Sequence, residues 1–573
     1  MTEILKKPDA KIWRARIDIA QKIKKDMFDE RAKRMRQMFK GDHFPGGKEG
    51  DYIVINYCYA ILKAILPQIY FQDPYLFLDA GDGSTTADST SAAESVLNQF
   101  WYKMKVKRQI KKIILDALIY GFGVGKIGYN TKIVKEKLES GADYTEKIKD
   151  EYPFFVRTSP LSVVFDPDAN SIDDIKWIAA NYFIREDDAK DKYPNAKDIK
   201  GDYYNIESSF VDTQKYNNEI QNDIKRLSVW EVQDLVSGQV LTVSKSVEKF
   251  LKPPMDNPYK LDGFNYKFLY LNEVPDEIYP LSDLEQIKDI VLELDKTETQ
   301  LLNHRSKGQR KIVSEIGIWS SDEERDKFFN DVDMQNAEVV QGGIEKIKVF
   351  DASTQDAALY NIGTELKDNL YKISATAENQ LSANSTTQKT ATEINKIDQN
   401  SQVRNSERVD CVIDFTTDVA EALIKVLQQF MSKKVSVKYQ DNWYEFTKED
   451  IKGNFNVRIN IGDTVKPNTD ADRQKISQVL AETIGAVGND GLPIVNRKEL
   501  LRTYYVKYGF TKDDIEKLMT PEPLPPQPPM PPQQPQGQGQ GQIPVDAAMQ
   551  LLNAAPAPQQ VQGQLPPEMM GGQ

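Results

Sequence analysis

The sequence predicts an α+β protein, and three observations carry that class. Strand-like apolar alternation recurs between residues 122 and 243. Helical stripes with apolar residues three and four apart run over 281–306 and 390–431. Between those helical stretches lies a short mixed segment, 307–352, with its own strand and helix signals.

Composition sets limits. At 573 residues, the chain has room for roughly three or four domains or for one extended multi-part subunit. Hydrophobic residues make up 40% and charged residues 28%, enough apolar material for substantial cores. The formal net charge of −12 excludes a chain that grips nucleic acid over its whole surface, because such affinity comes from releasing counterions off phosphates. Cys58 and Cys411 make neither a disulfide framework nor a zinc pattern and are expected to be thiols. His43 and His304, the two histidines, lie in no metal-ligand spacing. The start, MTEILKKPDAKIWRARIDIAQ, lacks a continuous apolar stretch. No stretch approaches the ~18 apolar residues of a membrane span. A soluble protein made in the cytoplasm, without metal, cofactor or membrane, is the expectation.

Taken in order, residues 11–40 read as a charged amphipathic helix with Ile12, Ile19, Ile23, Met27 and Met38 as its apolar positions, ended by HFPGGKEGD at 43–51. Asn56–Tyr70 reads as a buried helix and Tyr75–Asp79 as a strand. A polar loop at 81–92 precedes one long helix from Ala93 to Tyr120. Strands are expected at 121–130, 152–166, 177–184 and 226–243, the last with a hairpin signal at Ser237-Gly238. A short helix at 186–194 stops at a proline.

Then the character changes. Residues 281–306 form a helix with Ser282 and Glu285 in capping-box spacing. The mixed segment carries strands around Ile312–Trp319 and Glu338–Phe350 and a small acidic helix near Asp322–Asn330. A second helix covers 355–381, a polar break SANSTTQK fills 382–389, and a long helix covers 390–431. Strands return at 434–446 and 455–462, followed by helices near 470–487, 497–508 and 512–518. After Met519 the chain turns into PEPLPPQPPMPPQQPQGQGQGQ, which cannot bury enough surface to offset its ordering entropy and is expected to be disordered.

Few constellations carry chemistry. GFGVGK at 121–126 follows a helix and lies in a strand, the reverse of a dinucleotide fingerprint, and Lys126 is followed by Ile127 rather than the Ser or Thr of a P-loop. Its glycines read as a tight helix-to-strand turn. Asp187-Asp188 and Glu323-Glu324 lie in charged stretches and read as solvated acids, and two histidines leave no Ser/His/Asp arrangement. The basic run Arg305, Lys307, Arg310 and Lys311 reads either as a solvated helix end suited to the dipole or as a contact for nucleic acid or an acidic partner. The break at 382–389 is either an ordinary interhelical loop or a mobile loop in weak contact with a ligand.

The order of these parts resembles the portal proteins of tailed bacteriophages over about residues 10–520. INYCYAILKAILPQIYFQDPYLFL at 55–78, DALIYGFGVGKIGY at 116–129, VRTSPLSVVFDPDANSIDDIKWIA at 156–179 and VWEVQDLVSGQ at 229–239 carry the family style. IYPLSDLEQIKDIVLELDKTETQLLNH at 278–304 looks like the start of a portal stem. TATEINKIDQNSQVRNSERVDCVIDFTTDVAEALIKVLQQF at 390–430 looks like the long helix after the tunnel loop. The tail beyond 520 departs from the family's pattern.

The resemblance implies a portal fold: an α/β wing (1–277), stem helices (278–306 and 353–381), a small α/β clip between them (307–352), a tunnel loop (382–389), a long helix with the remaining wing strands (390–465) and a helical crown (466–519). It implies a ring of twelve at one capsid vertex of the virion, through which double-stranded DNA passes in packaging and ejection. Its partners would be the terminase large subunit, major capsid and scaffolding proteins, and neck or tail adaptors. Ser385, Thr386, Thr387, Gln388 and Lys389 would face DNA, and Arg305, Lys307, Arg310 and Lys311 would serve clip contacts. No catalytic residue is expected. The competing readings are another neck or tail adaptor, which lacks a helix pair bracketing an α/β insert, and a nucleic-acid enzyme, which needs clustered carboxylates for metal.

Overall fold

The computed structural model describes residues 8–47, 52–70, 73–83, 85–137, 144–196, 226–307, 311–315, 321–323, 326, 337–340, 348–350, 357–376, 391–439, 442–459, 478 and 501. Backbone contacts divide the chain into two units, Met1–Pro467 and Asn468–Gln573. In the second unit the described residues are Gln478 and Leu501, both helical. The first mixes helices and strands, the α+β class that the patterning predicts.

Helix α1 (Ala10–Lys24) starts at Asp9, whose carboxylate accepts from Lys11 N at 2.9 Å. A π turn (Lys25–Asp29) joins it to α2 (Glu30–Lys40), which ends at Gly41 with φ 86°. The expected helix is present, but its apolar face is not the predicted one. Ile12 and Ile19 are more than half exposed (54% and 55%) and Met27 is exposed, whereas Trp13, Ile17, Ala20, Phe28, Ala32 and Met35 are buried together with Met38. Both sets have helical spacing. The buried set wins because it offers a tryptophan to a sheet: Trp13 meets Trp177 edge-on with ring centres 5.5 Å apart. The π turn takes up an extra residue and keeps Phe28 on that buried side.

The sheet in question is antiparallel, in the order β4 (Val163–Phe165), β5 (Trp177–Arg185), β6 (Arg226–Asp234), β7 (Gln239–Val243) and β8 (Lys252–Asp256). The β6–β7 hairpin turns at Gly238 with φ 67°, as expected. Strand β8 escaped sequence reading because Pro253 and Pro254 argue against a strand; it survives at the sheet's edge, where a missing N–H is tolerated.

Helix α3 (Tyr57–Ile69) is capped by Asn56, whose side chain accepts from Tyr59 N at 3.0 Å. After β1 (Leu76–Ala80), two helices, α4 (Ala87–Lys103) and α5 (Val106–Tyr120), stand where one was expected from Ala93. Thr86 accepts from Ser89 N at 3.2 Å and starts α4 early; Lys105, in left-handed conformation at φ 54°, separates it from α5. The glycines of GFGVGK then open β2 (Phe122–Lys137). A Cβ at Gly121 (φ 98°) would lie 2.4 Å from the Pro280 carbonyl oxygen, and one at Gly123 2.3 Å from that of Ile113. Close backbone approach, not phosphate, requires them. Strand β2 pairs with β3 (Tyr144–Thr158) and, on its other side, with β9 (Tyr266–Tyr270).

Helix α6 (Glu186–Lys192) follows β5, and α7 (Asp283–Lys307) follows β9. Strands β10 (Lys311–Glu315), β11 (Ala337–Val340) and β12 (Lys348–Phe350) come next, then α8 (Ala357–Ser374) and the forty-residue α9 (Ala391–Phe430). The chain returns through the hairpin β13 (Val435–Tyr439) and β14 (Asn442–Phe446), and β15 (Phe455–Ile459) pairs antiparallel with β1. One large core unites α2–α5, α7, α8 and α9 with β1 and β15. Among the described residues no helix is long and apolar enough to cross a membrane.

Candidate functional site

The segment with most functional promise is the pair α7 and α8 with the strands between them. Helix α7 starts as predicted: Ser282 Oγ accepts from Glu285 N at 3.0 Å. Among the described residues the Glu285 carboxylate makes no bond to Ser282 N that would close the capping box; it lies 3.7 Å from Arg31, whose guanidinium also donates to the Tyr279 carbonyl at 2.9 Å. Leu284, Ile287, Val291 and Leu294 are buried on one face.

Polar groups fix this half of α7 from several sides. Asp283 is paired with Arg408 of α9 and accepts from Asn272 at 3.1 Å. Arg408 in turn donates to Asn405 at 2.5 Å, and Asn405 donates to Gln68 of α3 at 2.7 Å. Asp295, fully buried, accepts from Ile55 N at 2.9 Å and is paired with the buried His43 Nδ1. His43 Nε2 lies 3.1 Å from the Met38 carbonyl. Both ring nitrogens of His43 therefore have a hydrogen-bond partner. One turn on, Thr299 Oγ1 accepts from Ile53 N at 3.0 Å.

Helix α8 runs back antiparallel to α7. Lys367 donates to Glu298 at 3.0 Å, and toward its end Ile373 and Ser374 share a small cavity with Gln286 and Ile287. Burial opposes the Lys367 ammonium, but hydrogen bonds and charge from Glu298 and Tyr57 outweigh it and hold Lys367 above its ordinary pKa. Leu370 is buried against α7's core. Beyond Thr299 the grip ends: Leu302, Asn303, His304 and Arg305 are exposed. The three strands that follow form a mixed sheet with β10 central, β11 parallel and β12 antiparallel to it.

The sequence-predicted residues fall unevenly on this frame. Arg305 is exposed in the last turns of α7, Lys307 ends that helix, and Lys311 opens β10 opposite Phe350. These three are thus brought to the junction of helix and sheet. Arg310 and the residues expected in the tunnel loop, Ser385, Thr386, Thr387, Gln388 and Lys389, lie outside the described residues. Sequence reading missed His43–Asp295 and Arg408–Asp283. The signal available was a carboxylate on an otherwise apolar helical face: Asp295 directly follows Leu294 in the buried stripe.

Cys58 is buried, and desolvation pushes its thiol up to about 12; half-buried Cys411 is shifted the same way by the same cause. Neither is a poised nucleophile. Among the described residues no cluster of His, Cys, Asp and Glu could hold a metal ion.

Residues 375–555 match the family model described as Phage SU10 portal protein. The match covers less than half of the chain. It begins at the end of α8, takes in all of α9 and β13–β15, and runs on past the limit of 520 expected from the sequence, into the Pro/Gln-rich stretch. No curated protein matches the chain.

Proposed function

From a chain similar over residues 375–555 to tailed-phage portal proteins, a family structural rather than catalytic, we propose a subunit of a portal ring at one capsid vertex. The ring would contain twelve copies and form the channel for double-stranded DNA in packaging and ejection. Residues 1–277 would be the wing, 278–306 and 353–381 the stem, 307–352 the clip, 382–389 the tunnel loop, 390–465 the long helix and remaining wing strands, and 466–519 the crown. The clip would dock the terminase large subunit and later neck or tail adaptors. Major capsid and scaffolding proteins would meet the ring during assembly in the host cytoplasm.

The observation that carries the reading is the antiparallel pair α7–α8 around a small mixed sheet, with the portal match starting where α8 ends. The charge balance agrees. Duplex DNA presents dense negative charge, and a channel lined with cations would hold it at every phosphate. A chain of net charge −12 lets DNA pass. In the loop 382–389 the one charged side chain is Lys389 among small polar residues, which suits sliding contact. Nucleotide hydrolysis would belong to the terminase.

Native mass spectrometry and negative-stain imaging of the purified chain test this. The expected result is a closed twelve-subunit ring with a central opening wide enough for a duplex. A chain that stays a lone particle under assembly conditions, or a bore too narrow for B-form DNA, overturns it.

A further inference from the structure

A cleft of about 580 Å³ opens where α5 begins, far in sequence from the stem. Lys63 of α3 and Lys105, Lys107, Arg108, Lys111 and Lys112 line it. Asp73 is the one carboxylate among the described residues that line it, and it accepts from the Tyr70 hydroxyl at 3.1 Å. Among the described residues, Lys105, Lys107, Arg108 and Lys112 form no ion pair within 4 Å. A chain of net charge −12 thus gathers six cations around one hollow.

This arrangement works against the helix that carries it. The first turn of α5 has no acidic residue; it holds Lys107 and Arg108 at the positive end of the helix dipole. Lys107 and Lys111, and Arg108 and Lys112, stand four apart, where like charges repel on a helix surface. Lys105 adopts φ 54°, a conformation unfavourable for a side chain larger than glycine. Burial and then the neighbouring Lys107 hold the Lys111 ammonium below its ordinary pKa. The Lys105 backbone strain aside, these are charge effects that oppose folding of the isolated chain, and negative charge in the cleft relieves them.

The floor decides what kind of anion. Leu66 and Leu115 are half-buried there, and the ring of Tyr102, 82% exposed, stands at the edge. Apolar side chains flanked by lysines, in a hollow sized for a few side chains, fit a polypeptide with carboxylates and an apolar anchor better than the regular backbone of a duplex. We propose that this cleft is a docking site for an acidic polypeptide segment that carries an apolar side chain. The proposal stands apart from ring formation and survives or falls independently.

Fluorescence anisotropy with the full chain tests it, using a labelled peptide of alternating Glu and Leu pairs, an all-Glu peptide of equal length, and short duplex DNA. The Glu/Leu peptide is expected to bind, to weaken at least about tenfold in the double variant Lys107→Glu with Lys111→Glu, and to be unaffected by Lys452→Glu, an exposed site elsewhere. The all-Glu peptide should bind more weakly than the Glu/Leu peptide. The double variant places an acid in the first turn of α5, so it should melt no lower than the parent chain. Equal peptide binding by parent and double variant overturns the proposal. So does preferential binding of DNA, which would make nucleic acid the occupant, or equal binding of the two peptides, which would leave the apolar floor without a role.

Discussion

The two halves of α7 share one helical period and meet opposite fates. From Asp283 to Thr299 its apolar stripe is buried, and Asp283, Glu285, Asp295, Glu298 and Thr299 are held by partners from α9, α2, the 43–56 segment and α8. From Leu302 to Arg305 the side chains are exposed. The first half is an anchor, whose order is set within the subunit. The second half is presented, and nothing described in the same chain covers it. Amphipathic spacing alone does not separate these roles; what separates them is whether the polar residues next to the stripe have buried partners.

The contrast is broken most severely at Asp295. Asp295→Ala removes the partner of His43 and the acceptor for Ile55 N at once, in a site with no exposure. Leaving a buried polar group without its partner costs about 1–3 kcal/mol, and two groups are affected here. Chemical denaturation of the purified chain should show a loss of that order, and an unchanged midpoint would mean that His43–Asp295 does not anchor the helix. Next comes the stripe itself. Leu294 is 1% exposed, so Leu294→Ala should cost about 3 kcal/mol through lost burial and the cavity left behind. A loss below about 1 kcal/mol would show that the anchored half repacks freely.

How much of this was legible in the sequence follows from the same distinction. Local signals survived into the structure: the Ser282 cap, the Ser237-Gly238 turn, the glycines opening β2, and the two helices around a small stranded insert. Facing was legible only where one stripe stood alone. In α1 two stripes compete, and choosing Trp13–Ile17–Ala20 over Ile12–Ile19 requires knowing that Trp177 lies opposite. The break at Lys105 was hidden because a positive φ at lysine has no sequence signature. The basic run KMKVKRQIKK at 103–112 was read as part of one long helix, and only the fold joins Lys63 and the apolar floor to it as a cleft. Of the candidate site, the helix–sheet junction was legible as a basic run. The partners that fix α7 were not, since His43 and Asp295 are joined across the whole of the intervening fold.

The smallest effect on folding is expected at the presented end, and it sharpens the contrast most. Leu302 is 37% exposed and lies past the last buried contact of α7. Leu302→Ser should leave the unfolding free energy of the subunit within about 0.5 kcal/mol of the parent value, as for surface positions without a special role. If the stem helices pack against neighbouring subunits in the proposed ring, the same change removes apolar area from that contact and lowers the fraction of chain found in rings at a given concentration. Denaturation and native mass spectrometry on one preparation read the two quantities separately. A variant that unfolds more easily places Leu302 in the subunit's own core. A variant that matches the parent in both measurements leaves the exposed half of α7 without a partner and removes the stem's outer face from the assembly.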